Sequence, residues 1–268
     1  MSASGQTNSD PWTKLQHELD RWTASGETAT FWWRDDDAVE ETPQLHALDA
    51  LSREMKAPVS VAVIPAQLHA SLPQFLKKRD NFIALQHGYS HRSYSVKGAK
   101  KIELGGERST EEIQDELRAG RLQLLAALGE QFLPVLVPPW NRIESRIYYE
   151  LVNAGFTGLS TMWAPDSAYL LSDLLQVNTH LDPVNWRRDR GFIGEVSAIE
   201  KILRHLSARR LAGGDIAEPS GILTHHLSQN EEVWAFCRTL FEMLDRHPAV
   251  RWLNAREIWA PEISINGT

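Results

Sequence analysis

Short apolar runs alternate along this chain with longer stretches whose apolar residues recur at helical spacing. The run Thr28-Ala-Thr-Phe-Trp-Trp33 reads as a buried strand, and 43–55 follows as an amphipathic helix. The valine-rich segment 59–64 predicts a second strand ending at Pro65, then a helix over 67–78 and a third strand at 82–85. A longer helix opens with Ser109-Thr-Glu-Glu112, the order of a capping box, and keeps its apolar positions through Leu128. Further strands are predicted at 133–137, 156–160, 174–178, 221–224 and 250–253, with helices near 145–154, 196–211, 231–246 and 255–259. Alternation of this length implies parallel strands, and seven or eight of them imply an α/β barrel. The expected organisation is one domain over 11–262, with loose tails at 1–10 and 263–268.

Polar residues fall in a matching pattern. The acidic triplet Asp35-Asp36-Asp37, His87, Trp140-Asn141, His180 to Asp182, and His225-His226 each follow the C-terminal end of a predicted strand. Active sites of such barrels are assembled from the loops at that end. Five separate segments delivering these residues to one rim point to a site there.

Composition narrows the function classes. A formal charge of −7 over 268 residues argues against nucleic acid or an anionic membrane as the main partner. The single cysteine, Cys237, excludes an intrachain disulfide, and its helical context reads as a buried inert thiol. The first ten residues lack a basic n-region and an apolar h-region, and no apolar run reaches the roughly 18 residues of a membrane span. A cytoplasmic protein whose main partner is neither nucleic acid nor membrane is therefore expected. Ten tryptophans serve core packing for the most part, with some free to line a cleft and stack on sugar faces.

The chemistry concentrates in two motifs. Three adjacent carboxylates repel one another unless a positive charge lies nearby. Alone, such a run is more often a solvated turn or a helix cap. His87-Gly-Tyr-Ser-His91 places two imidazoles at i and i+4, with Gly88 free to turn between them. Two histidines and a carboxylate form a ligand set for a catalytic metal, so one cation accounts for both motifs. By itself, Pro138-Pro139-Trp140-Asn141 is a strand terminator. His17, His46, His69, His205 and His247 read as surface or structural residues.

Taken in order, these segments resemble the polysaccharide deacetylase family, also called the NodB homology domain or carbohydrate esterase family 4. The resemblance rests on Arg34-Asp-Asp-Asp-Ala38, His87-Gly-Tyr-Ser-His91, Val137-Pro-Pro-Trp-Asn141, Asp182-Pro-Val-Asn-Trp186 and Leu223-Thr-His-His226, about two hundred residues in all. It implies a distorted (β/α)7-type barrel. It implies that Asp37, His87 and His91 bind a divalent metal, zinc first, with cobalt or nickel as alternatives. It further implies Asp36 as general base, the Trp140 N–H at the oxyanion, His225 as general acid oriented by Asp182, and Trp186 walling the acyl pocket.

Two departures stand out. Val137 replaces the arginine that orients the base in the family, leaving Arg34 or Arg142 as substitutes. His226 stands where an aspartate is common, so it could serve at the substrate or be the acid in place of His225. The acidic pair could be Asp35-Asp36 or Asp36-Asp37, and Ala38 in the small-residue place favours the latter. The expected activity is metal-dependent hydrolysis of a non-peptide amide C–N bond, foremost deacetylation of an N-acetylated sugar or oligosaccharide. The alternatives are a cyclic-amide ring hydrolase of the same fold and a non-catalytic carbohydrate-binding barrel.

Overall fold

The computed structural model describes residues 10–163, 173–211 and 218–260. The tails expected at 1–10 and 263–268 lie outside the described residues, save Asp10. That residue caps helix α1 (Pro11–Ala24), its carboxylate accepting the Thr13 N–H at 3.1 Å. The sequence reading placed no element here. The signal is Trp12, Leu15, Leu19 and Trp22 at helical spacing behind a capping aspartate and a first-turn proline.

Seven strands form the wall: β1 (Ala29–Ala38), β2 (Val59–Val63), β3 (Phe82–His87), β4 (Phe132–Val137), β5 (Gly158–Leu159), β6 (Leu175–Gln176) and β7 (Ser220–Thr224). All pair in parallel in the order β6-β5-β4-β3-β2-β1-β7, and β8 (Val250–Trp252) pairs with the start of β1. The chain beyond β6 joins the two edges. His180 N–H donates to the Gly221 carbonyl at 2.7 Å, and Leu223 N–H donates to the Leu181 carbonyl at 2.8 Å. Single bridges, Met162 with Thr179 and Leu181 with Ile222, stand in for a full strand there. The expected strands at 156–160 and 174–178 are accordingly only two residues long. The result is a distorted seven-stranded barrel.

Helices α2 (Pro43–Glu54), α3 (Ser71–Leu76), α4 (Thr110–Leu128), α5 (Ser145–Tyr148), α6 (Glu195–Leu211) and α7 (Glu231–Arg246) follow the strands, and α8 (Ala255–Trp259) comes last. The helix expected over 67–78 is shorter, because Pro73 is tolerated only in a first turn. The one expected over 145–154 keeps a single α-turn before loosening toward Gly155. Ser109 and Glu112 form the anticipated capping box. Among the described residues no helix is long and apolar enough to cross a membrane.

Strand alternation sorts the core into layers. Trp32, Ala62, Ile83, Leu85, Val135 and Val137 share an inner cluster, which α8 completes through Ile258 and Trp259. Phe31, Trp33, Val61, Val63 and Ala84 face outward beneath the helices. The Trp32 and Trp259 rings meet edge to face at 5.2 Å, which fills the end of the barrel away from the strands' C-termini.

The same alternation runs through the acidic triplet, which lies inside β1 rather than just beyond it. Arg34 and Asp36 share the inward parity of Trp32, whereas Asp35 shares the outward parity of Trp33.

Barrel closure leaves no room at Gly221. A Cβ there would stand 2.5 Å from both the Asn178 carbonyl and Trp32 Nε1. Gly221→Ala is expected to lower unfolding stability by about 1–3 kcal/mol in a urea titration. An unchanged midpoint would show that this seam is not tightly closed.

Candidate active site

The C-terminal ends of the strands open into a cleft of about 920 Å³ whose lining includes Asp36, Asp37, His87, His91, Trp140, Asp182, Trp186 and His225. His87 ends β3 and sends its Nδ1–H to the Val137 carbonyl at 2.9 Å. A carbonyl only accepts, so in the neutral ring the Nε2 lone pair points the other way, at Asp37 Oδ1 3.1 Å off. His91 Nε2 lies 3.3 Å from the same oxygen. Ligand atoms of Asp37, His87 and His91 all fall within 4.8 Å of one another. Lone pairs converging on a carboxylate oxygen require a cation between them, a proton or a metal. The donor set and the locked His87 tautomer fit a divalent ion.

Both Asp37 (φ 72°) and His91 (φ 57°) hold left-handed backbone conformations that L-residues seldom adopt. At Asp37 this breaks the β1–β2 register between Asp35 and Ala38 and turns the carboxylate toward the histidines. Burial opposes its ionisation, yet the His87 hydrogen bond and the neighbouring imidazoles hold the carboxyl well below the usual range. Burial and the charge of His87 push the His91 ring down. Burial also acts against a charged His87, but Asp37 and Asp36 leave its pKa raised.

The loop between the histidines hangs on a residue the sequence reading missed. Glu103, fully buried, accepts the N–H groups of Tyr89, Ser90 and His91 at 3.2, 2.7 and 3.2 Å. A Cβ on Gly88 would stand 2.2 Å from its carboxylate, so the glycine is required by both space and its φ of +54°. Glu103 lies in a stretch without periodicity, and no motif marks it.

Asp36 is held by Arg34, the first of the two residues that the resemblance left as candidates to orient it. Nε and Nη2 of Arg34 grip the two Asp36 oxygens at 2.9 and 3.1 Å. Its remaining donors reach Asn141 Oδ1, Ser160 Oγ and the Thr161 carbonyl at 2.6, 2.7 and 3.3 Å. All five N–H groups are used. Arg142 instead donates to the Lys101 carbonyl.

The histidine alternatives separate cleanly. His225 lines the cleft, its Nε2 4.0 Å from Asp36 Oδ2. His226 turns away: its ring and backbone N–H both bind Asp35, which also accepts the Thr224 hydroxyl at 2.6 Å. Burial works against a charged His226, but the Asp35 charge leaves its pKa raised. The expected place for His226 at the substrate is therefore not observed. Asp35 supports the strand end.

Asp182 differs from expectation in its partner. It accepts the Val184 N–H at 2.9 Å and the Trp186 indole N–H at 2.6 Å, not a proton of His225. The Trp186 ring it holds lies edge-on to His225, with centroids 4.6 Å apart. Burial raises the Asp182 pKa. Trp140 (φ 56°) packs against His91 with centroids 4.6 Å apart and the rings tilted by 52°.

His180 does not reach the cleft. It stacks on His205 at 3.3 Å, with Glu218 nearby. These three also bring ligand atoms within 4.8 Å, but His180 Nδ1 accepts the Gly221 N–H at 3.0 Å. That bond leaves the proton on Nε2, so the atom facing Glu218 is no ligand.

No protein-family model matches the chain, and no curated protein matches it. Solved structures share its architecture. A protein described as a polysaccharide deacetylase from Mycobacterium smegmatis superposes with a TM-score of 0.61 at 16% identity, over 84% of this chain and 86% of that one. The chitin deacetylase of Colletotrichum lindemuthianum gives 0.52 at 12%, over 87% and 88%. A family 4 acetyl xylan esterase from Clostridium thermocellum, in complex with a cobalt ion, gives 0.50 at 11%, over 85% and 89%. At these identities the likeness establishes a common fold.

Metal-free protein is expected to take up one equivalent of zinc or cobalt by elemental analysis. His91→Ala should weaken that uptake by about 100-fold, and Glu103→Gln by about tenfold. Affinity should fall as pH drops through the histidine range, because each proton on His87 or His91 removes a ligand. Protein that holds no ion, or holds it equally well without His91, contradicts the assignment.

Proposed function

We propose that the protein is a metal-dependent hydrolase of a non-peptide amide C–N bond, acting on an N-acetylated sugar or oligosaccharide. The observation that carries this reading is the division of adjacent carboxylates in one cleft. Asp37 faces two histidines, whereas Asp36 is clamped by a buried arginine and points toward His225. Hydrolysis of this kind needs one carboxylate to hold a metal and another left free to take a proton. The shared fold adds support, since its neighbours include a chitin deacetylase and a cobalt-bound acetyl xylan esterase.

Asp37, His87 and His91 would hold a divalent ion, zinc first with cobalt or nickel as alternatives, which would supply Lewis acidity toward the carbonyl and lower the pKa of a bound water. Asp36 accepts the proton of that water. The Arg34 fork keeps both its oxygens oriented and stops the carboxylate from swinging onto the metal ligands. The Trp140 N–H donates to the developing oxyanion, a contribution of roughly 3–4 kcal/mol per donor. His225 returns a proton to the leaving amine. Asp182 holds Trp186 against His225, and the indole walls the acyl group. The non-catalytic alternative drew on the lost arginine at Val137, and Arg34 removes that ground.

Acetate release from N-acetylated oligosaccharides tests the assignment. Asp36→Asn and His225→Ala should each lower kcat by roughly 10²–10⁴ while metal content stays at one equivalent. Arg34→Lys keeps the charge but loses the fork, and should cost about tenfold in kcat. Full activity of Asp36→Asn overturns the base assignment. Ring opening of cyclic amides without any acetate release moves the protein to that alternative activity.

A further inference from the structure

The chain carries a net charge of −7, yet its cleft is basic. Lys101, Arg142, Arg187, Arg190 and Lys201 all line it. Among the described residues Lys101, Arg142, Arg187 and Arg190 pair with no carboxylate, although eleven other arginines do, whereas Lys201 donates to the Asp182 carbonyl at 3.4 Å and feels the charge of its carboxylate. The carboxylates of the same cleft are already committed. Asp36 belongs to Arg34, Asp37 faces the histidines, and Asp182 holds Val184 N–H and the Trp186 indole.

These cations stand on built supports. The segment after Asp182 folds back as a tight hairpin, with Val184 bridging Phe192 in antiparallel fashion and Asn185 N–H bound to the Gly191 carbonyl at 2.8 Å. The Asn185 carbonyl accepts the N–H groups of Arg188 and Arg190. Asp189, the nearest counter-charge, turns instead to cap the Gly191 N–H at 2.9 Å. Arg187 and Arg190 are thus presented beside Trp186 without an ion pair to Asp189. On the facing wall, Arg142 donates to the Lys101 carbonyl at 2.9 Å, and the Lys101 ammonium lies 5.6 Å from the Trp140 ring. Like charges gathered around one cleft repel unless an anion lies between them, and a neutral glycan offers none.

We propose that the substrate is an anionic acylated amino sugar, its carboxylate or phosphate seated between the 184–192 hairpin and the wall of Lys101 and Arg142. This rests on the amide-hydrolase reading of the same cleft. Guanidinium pairs match the planar or tetrahedral oxygens of either anion.

Three probes decide it with the metal-loaded protein: a neutral N-acetylated chitooligosaccharide, an N-acetylated oligosaccharide of aminouronic acid, and a nucleoside-diphosphate-linked N-acetylhexosamine. One of the two anionic probes should exceed the neutral one in kcat/KM by about tenfold or more, chiefly through KM. Which of them does so identifies the anion as carboxylate or phosphate. That preference should shrink about tenfold in the double variant Arg187→Gln, Arg190→Gln, and should shrink again between roughly 0.05 and 0.5 M salt.

Equal turnover of neutral and anionic probes overturns the inference and leaves the hydrolase reading standing, as does a preference that survives the double variant. If no probe is cleaved, calorimetric binding of the two anionic probes separates the claims. Binding that depends on Arg187 and Arg190 upholds the anion site and removes the hydrolase reading. No binding of either anion overturns the inference.

Discussion

The ion pair between Arg34 and Asp36 is the constraint on which the site depends. Both side chains are withdrawn from water inside the barrel. Burying two charges costs several kcal/mol each unless every donor and lone pair finds a partner. Arg34 meets that condition only because Asn141, Ser160 and Thr161 bring acceptors from the ends of β4 and β5. The pair therefore ties the first strand to the far side of the barrel and fixes the Asp36 carboxylate in one orientation.

The acidic triplet resolves its own repulsion through strand geometry. Successive side chains of β1 point to opposite faces, so Asp36 enters the barrel and Asp35 leaves it. Each then meets a different partner, the Arg34 guanidinium within and the His226 ring without. Asp37 escapes the alternation by adopting φ of 72°, which breaks the register and delivers its carboxylate to His87 and His91. Three adjacent aspartates acquire three environments from one strand and one strained residue.

Much of this was legible in the residues. Apolar alternation located the strands, and the order of polar motifs at their ends located the rim. His87, His91 and His225 stand in the cleft as expected. What escaped has physical reasons. Helix α1 was readable from Trp12, Leu15, Leu19 and Trp22 but lies ahead of the motifs. Glu103 serves backbone N–H groups twelve to fourteen residues away, and such a contact leaves no periodic trace. Arg34 and Asp36 are two apart in a strand, a spacing that places them on one face, yet only the structure chooses Arg34 over Arg142. The choice between His225 and His226 depends on which ring follows the inward face of β7. Closure of the barrel through single bridges near Thr179 and Leu181 is too short to register as a strand.

Anomalous diffraction from crystals of the zinc-loaded protein tests the account most directly. One peak is predicted, about 2.0–2.2 Å from Asp37 Oδ1 and from the Nε2 atoms of His87 and His91, with Asp36 still gripped by Arg34. A peak ligated by Asp36, a peak at His180, His205 and Glu218, or no peak at all would contradict the division of the triplet.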